Sequence, residues 1–418
     1  MRTAMVAWLF ATLCFGSPAR ADEVIDWNRA ALDAIRADRT SPPVASRALA
    51  MLHAAVYDAV NGISRTHETY RVPSTVPASA SKEAAASAAA FGILGALFPA
   101  STTRFSALHA KTVATITEGP RKDAGLAWGE AVAVAILTWR LTDNADAMIT
   151  PPVWTDPGAW RPTPPALAPY LLPQWAFVQP FAMPTSSYFR PAGPPDLASG
   201  AYAEAYNEVK ALGAAVNSSR TAEQDSIALF WADGPGTETP AGHWNTIAQG
   251  VALRRANTLE QNARLFALLN LAMADAAICA WDAKYFFHNW RPITAIRNGD
   301  SDGNPGTAGD QGWSSYITTP PFPDYVSGHS TFSGAASTVL AMFYGSDQIA
   351  FTTGSDFLPN VTRTFPGFGA AAAEAAMSRL YGGIHFRFSN EDGLKGGMEI
   401  GEWTVTHFLR PKENRSRS

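Results

Sequence analysis

The stretch TLEQNARLFALLNLAMADAAICAWDAKYF, residues 258–286, decides the fold class. Leu265, Leu268, Leu269, Leu271, Met273 and Ile278 recur in it with few polar interruptions. That pattern predicts one long helix crossing the centre of a core rather than lying on a surface. Lys284 falls near its C-terminal end, beside Trp281, Tyr285, Phe286 and Phe287. A cation in such surroundings is costly unless an anion meets it. On both sides of this stretch helical spacing dominates and alternating strand patterns are scarce, which points to an all-α protein.

Upstream, helices are expected over 22–37, 44–60, 79–97, 101–118 (with Ser101 as N-cap) and 122–141, then over 196–212 and 222–231. Between 150 and 195 prolines alternate with Trp154, Trp160, Tyr170, Trp175 and Phe181. This reads as a long ordered connection packed by aromatic rings. Downstream, a Gly- and Asp-rich loop over 298–325 precedes a helix that Ser327 or Ser330 starts, and two further helices cover 370–381 and 390–409. The organisation is thus a helical region over 22–195 followed by a second helical region over 196–418, which carries the chemistry. Residues 1–21 stand apart. Arg2, the apolar run from Ala4 to Phe15 and the small-x-small tripeptide Ala19-Arg20-Ala21 have the form of a secretory signal cleaved after Ala21. A secreted or periplasmic location follows as an expectation.

With 418 residues, 47% of them hydrophobic, the chain can bury a large core. Loss of Arg2 and Arg20 with the signal moves the formal charge from −4 to about −6, which speaks against general nucleic-acid binding. Any positive potential has to be local. Cys279 is the one cysteine outside the signal segment, so no internal disulfide is expected. Charged residues interrupt the later apolar stretches, and no membrane span is expected after signal removal.

Three short segments concentrate the basic and histidine residues: Lys284-x6-Arg291-Pro292, Ser327-Gly328-His329, and Ser378-Arg379-x5-His385. An oxyanion such as phosphate or vanadate spreads its charge over several oxygens. A site for it therefore needs planar Arg forks, a Lys point charge and backbone N–H donors. Each segment alone has a plainer account. Lys284 fits a helix C-terminus, Ser327 an N-cap beside a turn glycine, and His385 a structural histidine after Gly382-Gly383. Together they supply every element of an anion grip, with His329 and His385 left for chemistry. His53, His67, His109, His243, His288 and His407 lack such a neighbourhood and are expected in structural or surface roles.

In this order the three segments resemble the signature of the vanadium-dependent haloperoxidase and type 2 phosphatidic acid phosphatase superfamily. Trp231-Ala232-Asp233-Gly234, Trp281 before Lys284, Pro321-Phe322-Pro323 and His385-Phe386-Arg387-Phe388 resemble its haloperoxidase branch; the likeness is good from Trp231 to Glu402. The resemblance implies helical bundles, one or two of four helices, with the anion at the end of the catalytic one. It implies His385 as axial ligand to vanadium, or as nucleophile in a phosphatase. Lys284, Arg291, Arg379, the Ser327 hydroxyl and the Gly328 N–H would hold equatorial oxygens, and His329 would be the acid–base. Asp233 would pair with Arg379, while Trp281 and Phe322 would border the substrate pocket. The implied cofactor is vanadate, for which phosphate can compete. The implied partners are hydrogen peroxide, a halide ion and a small organic acceptor. A soluble acid phosphatase working through a phosphohistidine, and a non-catalytic oxyanion-binding protein, are the alternatives. Val326 stands where the family has Pro before Ser-Gly-His.

Overall fold

The computed structural model describes residues 22–412; the signal reading at residues 1–21 lies outside them. Thirteen α-helices, three short 3-10 helices and a two-stranded hairpin make up the regular structure of the described residues. The first five are α1 (Glu23–Ala37), α2 (Pro42–Ser64), α3 (Lys82–Leu97), α4 (Thr102–Thr115) and α5 (Pro120–Arg140). After the long connection come α6 (Gly200–Leu212), α7 (Ala222–Phe230), α8 (Thr239–Arg254), α9 (Leu259–Phe287) and α10 (Pro292–Arg297). The chain ends with α11 (Gly328–Tyr344), the antiparallel strands β1 (Phe351–Gly354) and β2 (Thr362–Phe365), α12 (Phe368–Tyr381) and α13 (Arg387–His407).

Helix α9 is the axis of the molecule. Thr258 caps its start in a capping box with Gln261, so two orphan N–H groups of the first turn are satisfied reciprocally. Its length and apolar composition would suffice to cross a membrane, contrary to the expectation that charges interrupt every such stretch. Burial within the fold shows why it is apolar on all sides: 94% of its most apolar window is covered by the rest of the protein. One group, α2, α3 and α5, packs together and meets α9 through α2. On the other side α11 and α13 pack on α9, with α12 against both of them. A continuous apolar core therefore runs through helices from both expected regions, from Val24 to Leu409.

The α11–α13 contact depends on small residues. A Cβ on Gly397 would stand 2.2 Å from the Thr331 carbonyl oxygen, and one on Gly334 would stand 2.2 Å from that of Leu394. The two backbones touch there, which fixes the helix that carries Ser327 to His329 against the helix that follows His385.

The proline-rich connection is ordered as expected, and its anchor is a buried acid. Asp275, in the middle of α9, accepts N–H bonds from Phe181, Ala182 and Met183 at 2.6–2.7 Å. Its carboxyl is nonetheless pushed up to about 6, because burial outweighs those bonds. Nearer the end of α9, Trp281 Nε1 and Tyr285 Oη both donate to the Leu171 carbonyl, at 3.3 and 2.8 Å. Leu171 N–H in turn donates to Pro321 O at 3.0 Å. The connection is thus laid over the C-terminal end of α9.

Three elements escape the periodicity: α8, the six-residue α10 and the hairpin. Helix α8 contains Pro240, Gly242 and Gly250 among polar residues, a composition that hides a helix with a buried face of Ala241, Trp244, Ile247 and Val251. The β1–β2 hairpin pairs Phe351 with Phe365 across four-residue strands too short to register as alternation.

Candidate active site

The three sequence segments meet at the C-terminal end of α9. Lys284 occupies its last turn, and Arg291 is the N-cap of α10. Ser327 is the N-cap of α11, with Gly328 and His329 in the first turn, where free N–H groups and the positive dipole end favour an anion. Arg379 ends α12, and a tight turn through Gly382 and Gly383 delivers His385 to the start of α13. Gly383 adopts φ 75°, and a Cβ there would fall 2.2 Å from Gly213 O, so only glycine makes this turn.

His385 is held on both ring nitrogens. Arg291 Nη1 lies 3.1 Å from His385 Nε2, while the same Nη1 donates to Ile384 O at 2.7 Å. A guanidinium can only donate, so Nε2 presents its lone pair. On the other side Nδ1 has Ser389 Oγ at 3.2 Å and Asp324 Oδ1 at 2.8 Å. Ser389 Oγ donates to the Asp324 carbonyl at 3.1 Å, so it has lone pairs for His385, and the Nδ1–H tautomer follows from this assignment of donors. Burial, together with Arg291, Lys284 and Arg379, holds the imidazole well below its usual range, and it is neutral.

Both arginines are fully buried and only partly satisfied. Arg291 Nε donates to Phe322 O at 2.7 Å, but Nη2 has no partner. Arg379 Nη1 donates to Trp231 O at 2.7 Å, and its Nε and Nη2 have none. Burial lowers each guanidinium to about 10. Unmet donors on buried cations are expensive, and an oxyanion answers all of them. His329 Nε2 is likewise buried and unpartnered. Burial and Arg379 keep His329 well below its usual value, against the opposing carbonyls of Ala232 and Trp231.

Lys284 departs from the expected pattern. Its three donors go to the carbonyls of Pro323, Asp324 and Val326, at 2.9, 3.0 and 2.5 Å. The ammonium therefore gathers the 323–326 loop while its charge stays within the site. Burial and Arg291 lower it well below the ordinary lysine value. Within this loop the Tyr325–Val326 peptide is cis. The aromatic frame is present: the Trp281 and Phe322 rings lie 4.9 Å apart, with Lys284 Nζ 4.9 Å and Arg291 Cζ 4.8 Å from the Phe322 ring. Trp281 also faces Gly328, 3.5 Å from where a Cβ would be.

Asp233 does not make the expected ion pair with Arg379. Its carboxylate meets His243 Nδ1, 3.3 Å from each oxygen, and influences Arg379 only as a nearby charge. The reason is local: Asp233 is at φ 42° in the turn before α8, which aims it at the helix that carries His243. Burial depresses His243, but Asp233, Glu238 and Asp356 outweigh it and raise its affinity for a proton. His288 caps α9 at φ 41° and stacks on Trp154 at 4.6 Å, away from the chemistry. Sequence reasoning passed over Asp324 and Ser389, and took His243 for a structural or surface residue without its Asp233 partner. For Asp324 a signal existed: an acid inside the otherwise apolar run Pro323-Asp324-Tyr325-Val326, directly before Ser-Gly-His.

Comparison with known proteins bears on the fold. Residues 264–414 match the family model described as the VCPO second helical-bundle domain, which begins within α9 and ends beyond α13. The vanadium chloroperoxidase of Curvularia inaequalis is 27% identical, over 87% of this chain and 78% of that protein. A solved structure described as the first bacterial vanadium-dependent iodoperoxidase superposes with a TM-score of 0.81 at 30% identity, covering 94% of this chain and 97% of the other. A bacterial vanadium-dependent chloroperoxidase in its holo form shares the fold, with a TM-score of 0.70 at 18% identity over 94% of this chain and 98% of the other.

Proposed function

Because the chain belongs to the vanadium-dependent haloperoxidase family, we propose that its buried anion pocket holds vanadate and uses hydrogen peroxide to oxidise a halide to hypohalous acid. The observation that carries this reading is the set of orphaned donors on buried arginines, Arg291 Nη2 with Arg379 Nε and Nη2, beside a histidine whose Nε2 presents a lone pair that Arg291 Nη1 meets at 3.1 Å and that coordination would take over. These residues fit the group. Arg291 and Arg379 would hold its oxygens through charge-assisted bonds, and the Gly328 N–H and Ser327 hydroxyl would add neutral donors. Ser327 Oγ already accepts from Ser330 N–H, which leaves its own hydrogen to give. His385 Nε2 would be the protein ligand.

Bound vanadate supplies a Lewis-acidic centre that polarises hydrogen peroxide toward attack by a halide, with vanadium kept in its highest oxidation state. His329 is neutral and its Nε2 unpaired. That nitrogen can take the proton that hydrogen peroxide releases and return one to the departing oxygen. Lys284 acts through the loop it gathers, setting Phe322 and Ser327 on either side of its own charge. Trp281 and Phe322 form an apolar wall that limits water near the reacting oxygen. The N-terminal segment, read as a secretory signal, supports export.

The test is a vanadate-dependence assay on metal-free enzyme with iodide, bromide, chloride and a phosphate ester. Halide oxidation should rise only on addition of vanadate, and inorganic phosphate should compete. Halide oxidation that is indifferent to vanadate would overturn the reading. Ester hydrolysis without halide oxidation would instead favour the acid phosphatase through a phosphohistidine at His385.

A further inference from the structure

The loop before Ser327 carries a carboxylate that the site's anion chemistry does not call for. Asp324 is fully buried, and its backbone is fixed at both ends of the residue: its N–H donates to Asn289 O at 2.9 Å, and its carbonyl accepts from Lys284 Nζ and Ser389 Oγ. The side chain is held only loosely. Asn289 Nδ2 approaches Oδ2 at 3.5 Å, and Oδ1 has no aligned hydrogen bond although it lies 2.8 Å from His385 Nδ1. Among the described residues it is the one carboxylate within 4 Å of a His385 ring nitrogen. A carboxyl group, pushed up to about 7 by burial against the opposing pull of Arg291 and Lys284, is thus placed inside a cationic site, on the edge of the imidazole opposite the ligating nitrogen.

We propose that Asp324 is a positioning residue for His385, taking the Nδ1–H through Oδ1 and making Nε2 a stronger electron-pair donor. The argument is one of charge and geometry. Lys284, Arg291 and Arg379 all disfavour positive charge on the imidazole. When Nε2 donates its pair to an electrophilic centre, the ring gains positive character and the hydrogen bond that Nδ1–H donates strengthens. Ser389 Oγ, a neutral acceptor at 3.2 Å, responds weakly to that change; a carboxylate oxygen responds strongly. A small rotation of the ring, open to it with or without a bound anion, brings Nδ1–H from Ser389 on to Oδ1, and coordination strengthens that contact. Asp324 thus offsets the cations where they would harm coordination, and the arginine forks stay free for the anion's oxygens.

This inference rests on His385 being the vanadate ligand, so its test includes a readout taken without any anion. Full-length protein labelled with 15N-histidine is compared as wild type, Asp324→Asn and Asp324→Ala. The His385 Nδ1–H resonance is assigned by its loss in His385→Gln. Vanadate affinity is measured on the same samples by equilibrium dialysis. The expected result is a wild-type Nδ1–H proton at low field that moves upfield in both variants, with vanadate affinity weakened about 10- to 100-fold. An unmoved resonance overturns the inference whatever happens to affinity, because lost affinity alone would report only lost charge. A moved resonance with unchanged affinity overturns it as well. Should the wild type bind no vanadate, the functional reading fails, and the resonance still decides whether Asp324 holds the ring. Either variant alone suffices if the other does not fold.

Discussion

Arg291 Nη1 lies 3.1 Å from His385 Nε2, and the pair determines where the imidazole lone pair points. The same guanidinium reaches Phe322 O through Nε and keeps Nη2 free. A lysine at this position has one charged head and no planar fork, so it cannot serve these directions together. Arg291→Lys should weaken vanadate binding by about 10- to 100-fold, the value of one or two charge-assisted hydrogen bonds. Equilibrium dialysis measures this directly; affinity within a factor of about two of wild type would count against an oxygen-holding role for Nη2.

His329 and His385 separate by function in the same way. His329 Nε2 is unpartnered and its ring is not tied to Arg291, so His329→Ala should leave vanadate affinity nearly intact and lower kcat by about 10²- to 10⁴-fold. His385→Ala should abolish retention of vanadate altogether. Steady-state halide oxidation at saturating vanadate, together with dialysis, distinguishes the two. Equal loss of binding in both variants would mean that the roles are misassigned.

The Asp233–His243 pair predicts how stability varies with pH. His243 has a folded-state value raised above its ordinary 6.5, since Asp233, Glu238 and Asp356 overcome the effect of burial. The stability it contributes is therefore fully present below about pH 6.5 and is lost as pH rises through the folded value. His243→Gln should flatten that part of the profile, read by chemical denaturation at a series of pH values. An identical pH dependence in the variant would show that the pair does not take up a proton on folding.

Asp275 offers a test of the connection. It satisfies three N–H groups of residues 181–183, each of which would be left buried without a partner in Asp275→Ala. The expected cost is about 3 kcal/mol or more, given the penalty for each unmet donor. Denaturant unfolding measures it, and limited proteolysis should show cleavage moving into the 150–195 stretch. A loss under about 1 kcal/mol would mean that packing alone holds the segment.

Much of this was legible in the residues because the signals were local. Thr258 and Gln261 mark the start of α9, and the apolar residues that follow mark its burial. Ser327 before Gly328 marks a helix start with free N–H groups, and Gly382-Gly383 marks the turn that returns His385. What stayed hidden depended on contacts between distant residues. Asp324 and His385 are 61 positions apart, and only the fold brings Oδ1 to 2.8 Å from Nδ1. Asp233 had two possible cationic partners, Arg379 and His243, and composition cannot rank them; the turn at φ 42° does. Lys284 was identified as a buried cation, but its use on three loop carbonyls requires knowing where residues 323–326 run.

The Leu171 carbonyl, which accepts from both Trp281 and Tyr285, has a consequence for modularity. Leu171 lies well before residue 264, where the match to the second helical-bundle domain begins. The residues proposed to grip the anion, from Arg291 onward, belong to that domain, but its aromatic wall is tied to a segment from outside it. Cut free at the domain boundary, the bundle would keep Arg291, Arg379 and both histidines of the site and lose the backbone that holds Trp281 in place. Changes confined to the connection could then alter which halide reaches the site, without replacing any residue proposed to touch the anion.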